Sequence, residues 1–145
     1  MCFEESIPFV ARRGGGHSEW STIGKEGVII DLGRCKGVEV DGANRTAVLK
    51  GSILSKKVDV ALADTGLFIA LGNGNIVGAI PYFLNGGASI TTSITGFGTD
   101  QILAARLITA SGELIEVNQT HNADLLWALR GSGRFFGLVI ELTAI

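Results

Sequence analysis

Proline is scarce, 2 residues in 145, so the chain's reversals of direction fall to its 21 glycines. Cysteine is equally rare. Cys2 and Cys35 are too few for a disulfide framework, and their spacing fits no metal site. Neither His17 nor His121 has a Cys or His neighbour at ligand spacing, so no metal is expected. An excess of charge is also missing. Against 14 acidic residues stand 12 Lys and Arg, and a net charge of -2 gives no footprint for nucleic acid or an anionic membrane. No apolar run approaches the about 20 residues that a membrane-spanning helix needs. Glu4 and Glu5 stand where the positive region of a signal peptide would lie, so the N-terminus assigns no compartment. The one tyrosine, Tyr82, and the few carboxylates form no recognisable acid–base pair. Ser89 and Ser93 lack the glycine context of a hydrolase nucleophile.

What the chain does have is apolar mass. Charged residues make up 18%, against roughly 25% in an average soluble domain, and mean hydropathy is +0.38. The length suits one domain, or a piece of one, and is enough for a core. The apolar excess predicts burial against something further: a cofactor, a partner domain or another subunit.

The pattern predicts an α+β fold in which strands outnumber helices. Strands are expected at 7–12, 27–32, 102–109 and 137–145, with a hairpin of 38–40 and 46–49 turning at Asp41-Gly42 and a strand returning over 113–117 after Ser111-Gly112. Apolar residues Ile53, Leu54, Val58, Ala61 and Leu62 predict a helix within 52–63, with Ser52 as N-cap and Gly66 beyond its end. Asn122 is expected to cap a second helix running through Leu129, with Asp124 at its positive end and Arg130-Gly131 closing it.

Glycine clusters between these elements at 14–16, 72–78, 86–87 and 96–98. The first lies in Arg13-Gly14-Gly15-Gly16-His17-Ser18, directly after an apolar strand. Consecutive glycines allow positive φ and close backbone approach, and successive N–H groups in such a turn form an anion site. The hexapeptide alone is also compatible with an ordinary surface turn carrying a solvated histidine. Gly72-Asn73-Gly74-Asn75-Ile76-Val77-Gly78 has GxGxxxG spacing, one residue longer than the Rossmann fingerprint, and Pro81 and Gly86-Gly87 follow too soon for the long helix that site needs. Several glycine loops suit a long cofactor lying across the domain, although some of these glycines will serve only tight packing.

The order of these blocks resembles the flavin-binding domain of the vanillyl-alcohol oxidase/p-cresol methylhydroxylase (PCMH-type) superfamily, in particular the berberine-bridge-enzyme-like FAD-linked oxidoreductases. Residues 10–18 (VARRGGGHS) look like the family's RxGGHS pyrophosphate loop, and 51–66 like the helix before its central loops. Residues 78–100 resemble its VGxGG…YGxxxDN region and lead into 102–113. Residues 122–139 (NADLLWALRGSGRFFGLV) look like NPDLxWALRGxGxxFGxV, the most specific of the blocks.

The resemblance implies a PCMH-type FAD-binding domain over 1–145, with mixed β-sheets flanked by short helices. It also implies FAD as cofactor, with Arg13, Gly14, Gly15, Gly16 and Ser18 at the pyrophosphate and His17 bonded to the flavin 8α-methyl carbon. Gly78, Gly86, Gly87, Gly96 and Asp100 match further positions beside the cofactor, and Val139 one whose backbone approaches the adenine end. Many family members carry a second, cysteine link. Its position falls on Gly74, so at most one covalent bond is expected. Gln101 replaces the usual Asn, Ser93, Ile94 and Thr95 replace a segment often rich in Arg, Lys and Tyr, and Asn85 and Ala88-Ser89 dilute the glycine pattern.

The family normally has a further strand–helix–strand segment before the first block and a substrate domain after the last. This chain is therefore expected to be incomplete at the N-terminus and to lack the substrate domain, with no catalytic residue assignable. The exposed apolar surfaces that result would favour self-association. A complete member passes a hydride from a small organic substrate to the flavin, and oxygen reoxidises it to give hydrogen peroxide. A non-catalytic flavin-binding remnant, acting alone or with a partner chain, is the alternative, and a plain structural β-rich domain is a third reading.

Overall fold

The computed structural model describes residues 2, 4–12, 15 and 23–145, and within them the sequence lays down seven strands and four α-helices in two unequal sheets. The smaller pairs β1 (Phe9–Arg12) with β2 (Val28–Asp31) in parallel, Phe9 opposite Val28 and Arg12 opposite Asp31. The larger has five antiparallel strands in the order β3 (Lys36–Asp41), β4 (Thr46–Gly51), β7 (Leu138–Ala144), β5 (Ile102–Ile108) and β6 (Leu114–Val117). Helices α1 (Ser55–Leu62), α2 (Ala79–Leu84), α3 (Thr92–Thr95) and α4 (Ala123–Ser132) lie in the connections. This mixed α+β arrangement, with short helices beside the sheets, is the expected class.

Alternation decides which face of the large sheet is core. Along β4, Ala47, Leu49 and Gly51 are buried and the residues between them half-buried, as a period of two requires. Two bulges adjust the phase of the central strands. Leu103 is the extra residue on β5, between the pairs Ile102–Ala144 and Ala104–Thr143. Ile140 is the extra residue on β7, between Arg106–Glu141 and Leu107–Val139. The second bulge turns Val139 inward, so Val139, Leu142 and Ala144 all reach the core despite their mixed parity. Val58 and Leu62 of α1, Ile80, Phe83 and Leu84 of α2, and Leu126 and Leu129 of α4 complete that core. On the opposite face Lys50, Glu141, Arg106 and Glu116 stand in register as a row of alternating charge. There the Arg106 guanidinium donates to Glu141 at 2.9 Å. The Glu141 carboxylate is the main reason the guanidinium holds its proton even more firmly than usual.

The hairpin turns where expected. Asp41 Oδ1 accepts the N–H groups of Ala43 and Asn44, both at 3.1 Å, and Oδ2 accepts the Asn44 side-chain amide at 2.7 Å. The Asn44 side chain, ahead of the backbone donors, holds the Asp41 carboxyl below the ordinary aspartate range. Gly51 then leaves the strand at φ +48, where a Cβ would stand 1.9 Å from the Cys35 carbonyl oxygen.

Both expected N-caps are corrected by the structure. Ser52 does not cap α1: it is buried three residues before the helix, with its N–H donated to the Cys35 carbonyl at 2.8 Å. The first amides of α1 bond instead to distant carbonyls, Ser55 N–H to Val77 at 2.9 Å and Lys56 N–H to Asn75 at 3.3 Å. Asn122 does precede α4, but at φ +54 its side chain turns away and donates to the Glu116 carbonyl at 2.7 Å. The closing of α4 is as expected, since Arg130 and Gly131 leave helical geometry with Gly131 at φ +106.

Candidate functional site

The four glycine clusters, spread over more than eighty residues, converge on α2. Arg13, Gly14, Gly16, His17 and Ser18 lie outside the described residues, and Gly15 represents the first cluster. At φ +116, a Cβ on Gly15 would be 2.6 Å from the Gly78 amide nitrogen and 3.0 Å from the Ile76 carbonyl. Gly15, three residues beyond the end of β1, is therefore seated directly against the backbone of loop 72–78, with no room there for a side chain of its own.

Loop 72–78 is itself strapped to the start of α1. Ser55 N–H and Oγ both donate to the Val77 carbonyl, Ala79 N–H donates to Ile53, and Leu54 and Gly78 form an isolated bridge. These bonds consume the N-terminal amides of α1, so that helix end is not an anion site. The long helix that a Rossmann site requires is also missing from this region. Gly78 opens α2, which ends six residues later at Leu84.

The other two clusters meet at the far end of α2. Gly98 N–H donates to the Gly87 carbonyl at 2.8 Å and Thr99 N–H to Gly86 at 2.9 Å, which ties 86–87 to 96–98. Gly86, Gly87 and Gly96 all have positive φ, at +105, +74 and +74. A Cβ on Gly86 would meet open space, whereas one on Gly96 would be 3.0 Å from the Asp100 carboxylate. Asp100 accepts the Phe97 N–H at 2.9 Å and so caps the short 3-10 turn Gly98–Gln101. Gln101 is buried, with its side-chain oxygen accepting the Ala70 N–H at 3.0 Å. Val139 is fully buried, and its strand pairs with β4 only as far as Glu141.

Tyr82 was missed as a site residue because a lone tyrosine carries no motif. Its ring lies between the clusters. A Cβ on Gly72 would come 3.0 Å from Cε2, and Cβ atoms on Gly87 and Gly98 would come 2.8 and 3.1 Å from Cε1. Burial pushes the Tyr82 phenol above its usual range. The Tyr82 hydroxyl and Thr99 Oγ1 are both shielded from water and have no hydrogen-bond partner among the described residues. The available signal was position: Tyr82 is the aromatic residue midway between two glycine blocks.

These loops fit a cofactor that combines an apolar ring with a charged linker. Glycine backbone allows close approach, Ile76 and Phe97 stand exposed on these loops, and Ile90 and Ile94 stand exposed in the segment joining 86–87 to 96–98. No helix among the described residues is long and apolar enough to cross a membrane, and those residues hold no metal-binding cluster.

Comparison with known proteins agrees with this architecture. The FAD-linked oxidoreductase hasG of Aspergillus fumigatus is 37% identical over 141 residues, covering 94% of this chain and 30% of its own length. The FAD-linked oxidoreductase fogF of Aspergillus ruber is 35% identical, covering 97% of this chain and 28% of its own. Among solved structures, 6-hydroxy-D-nicotine oxidase from Arthrobacter nicotinovorans superposes with a TM-score of 0.89 at 31% identity, over 97% of this chain and 31% of that one. The berberine-bridge-enzyme-like protein 1 of Physcomitrella patens superposes with a TM-score of 0.87 at 31% identity, over 99% of this chain and 32% of that one. The chain thus spans less than a third of the length of the relatives it matches. The family model described as FAD binding domain matches residues 1–118, and the chain belongs to that family, the FAD-binding domain of FAD-linked oxidoreductases with a PCMH-type fold.

Proposed function

We propose that this domain holds FAD across the glycine loops gathered on α2, as the cofactor-binding part of a flavin-dependent oxidoreductase. The observation that carries the reading is the convergence itself. Loop 72–78 touches Gly15 at one end of α2, and 86–87 is bonded to 96–98 at the other. In this reading Arg13, Gly14, Gly15, Gly16 and Ser18 embrace the pyrophosphate, with the charge of Arg13 and backbone amides as donors. Gly78, Gly86, Gly87, Gly96 and Asp100 shape the ground beneath the cofactor, and the backbone at Val139 lies toward the adenine end.

His17 is the proposed covalent anchor, through an imidazole nitrogen bonded to the flavin 8α-methyl carbon. A neutral imidazole is a competent nucleophile near neutral pH. Forming that bond in place of an imidazole N–H and a methyl C–H would release two protons and two electrons, the electrons being taken up by the flavin ring and then by oxygen. Gly74 stands where a second, cysteine link would need a thiol, so one bond is expected.

When bound, FAD supplies the two-electron redox chemistry, accepting a hydride from a small organic substrate and returning the electrons to oxygen as hydrogen peroxide. The chain's own residues bind and orient it. A non-catalytic flavin carrier working with a partner chain is the second reading, favoured by the exposure of Trp127 and Phe135. Such surface also favours self-association, which a concentration series on a sizing column would reveal as a shift to earlier elution.

The test is to purify the chain with FAD and follow the yellow colour through acid precipitation. Colour retained by the wild type and lost in His17→Ala establishes the anchor. Colour washed out of both removes the covalent bond and leaves FAD binding. A folded, colourless protein overturns the reading. Reduction of the bound flavin by a substrate panel separates catalysis from carriage.

A further inference from the structure

Resting on the FAD reading above, we propose that Tyr82 is a positioning residue of the cofactor site: its ring is the spacer that sets how far loop 72–78 stands from loops 86–87 and 96–98. The ring meets glycine on both edges. Gly72 faces Cε2, and Gly87 and Gly98 face Cε1, each so closely that a Cβ would stand 2.8 to 3.1 Å from a ring carbon. These three glycines come from three separate loops and share the ring as a neighbour: at Gly72 the ring alone fills the space of a Cβ, while Gly87 and Gly98 also face each other.

The ring also packs against the core. Phe83, fully buried, meets it edge-on with centroids 5.6 Å apart at 89°. The bonds Gly98 N–H to Gly87 and Thr99 N–H to Gly86 join two of the loops, so displacement against either displaces both. On the other edge, loop 72–78 carries Gly78, on which Gly15 is seated. A change in ring size therefore alters the spacing of all the surfaces on which the cofactor is proposed to lie. The hydroxyl has no partner among the described residues, so the ring rather than the hydroxyl performs this role. Tyr82 touches the loops and acts through them.

Titration of FAD into flavin-free protein, followed by flavin fluorescence, tests this. The chain carries His17→Ala so that binding stays reversible, and Tm is measured alongside. Tyr82→Phe keeps the ring and is expected to bind FAD within about twofold of the unsubstituted chain, with an undiminished Tm, because an unpartnered buried hydroxyl stabilises nothing. Tyr82→Leu is expected to weaken FAD binding about tenfold or more and to shift the visible flavin band, the mark of a cofactor held loosely by its supporting shell. Gly72→Ala is expected to weaken binding several-fold at unchanged Tm. Combined with Tyr82→Leu it should cost less than the two losses multiplied, because the added methyl enters the space the ring vacates.

Wild-type affinity in Tyr82→Leu overturns the proposal. So do losses that multiply independently, or a Tyr82→Phe loss as large as that of Tyr82→Leu. If Tyr82→Leu does not fold, Gly72→Ala decides: reduced affinity at unchanged Tm supports the spacer, and unchanged affinity overturns it. A parent chain that binds no FAD removes the cofactor reading itself, whereas one that binds FAD with an affinity blind to the ring removes only this inference.

Discussion

β1 and β2 pair in parallel over four residues, with Phe9, Val28 and Ile29 exposed, while β3 to β7 form a five-stranded antiparallel sheet whose inner face is closed by helices. The two regions follow different rules. Antiparallel strands tolerate one wet face, and here that face carries the Lys50–Glu141–Arg106–Glu116 row while the other carries the core. Parallel strands are normally buried on both faces, and a two-stranded unit alone is marginal. The large sheet therefore holds its shape through its own packing, whereas the small one gains most from whatever is laid against it. Just beyond β1, Gly15 of the proposed pyrophosphate loop rests on Gly78.

The widest separation of the two regions is expected in stability. Phe83→Ala empties the centre of the core and should cost about 3–5 kcal/mol, whereas Ile29→Ala in the parallel pair should cost less than about 1 kcal/mol. Denaturant midpoints of both variants measure this, and equal losses would break the comparison. Next in size is Gly15→Ala, whose Cβ meets Gly78 backbone at 2.6 Å. It should weaken FAD binding about tenfold or more with little change in the unfolding of the large sheet. A variant that instead lowers Tm sharply while keeping its affinity would place Gly15 with the core.

Hydrogen exchange sharpens the contrast further. Amides of β1 and β2 should exchange well before those of β5 and β7, and FAD should slow the first pair more than the second. Uniform protection by FAD would mean that both regions depend on the cofactor alike. The smallest effect belongs to the hairpin turn. The folded Asp41 carboxyl lies below its ordinary range, chiefly through the Asn44 side chain. Its contribution is therefore complete above the ordinary aspartate range and is lost as pH falls through the lowered value. The small Tm gap between wild type and Asp41→Ala should be constant near neutral pH and close in strong acid. A gap that persists in acid would assign the turn's stability to backbone shape alone.

Much of the large sheet was legible because its signals are local. The β3–β4 alternation, the Asp41-Gly42 turn, the Ser111-Gly112 turn and the end of α4 at Arg130-Gly131 each depend on residues within one or two turns of one another. The two N-caps failed for the opposite reason. Ser52 and Asn122 have capping side chains, but the partners that decided their roles, Cys35 and Glu116, arrive from elsewhere in the chain. Val139 is a similar case, since its inward direction depends on a bulge at Ile140 that exists only through pairing with β5.

The sequence by itself determined where the backbone could bend and approach closely: glycine at 15, 72, 78, 86, 87, 96 and 98 is a local property, set by the absence of a Cβ. It also determined the membership of the FAD-binding family, because the motif blocks occur in order along the chain. Only the tertiary structure decided which glycines face each other, which face Tyr82, and which, like Gly86, stay open. Such contacts join residues as far apart as Gly15 and Gly78, and they follow from the path of the whole chain around its core.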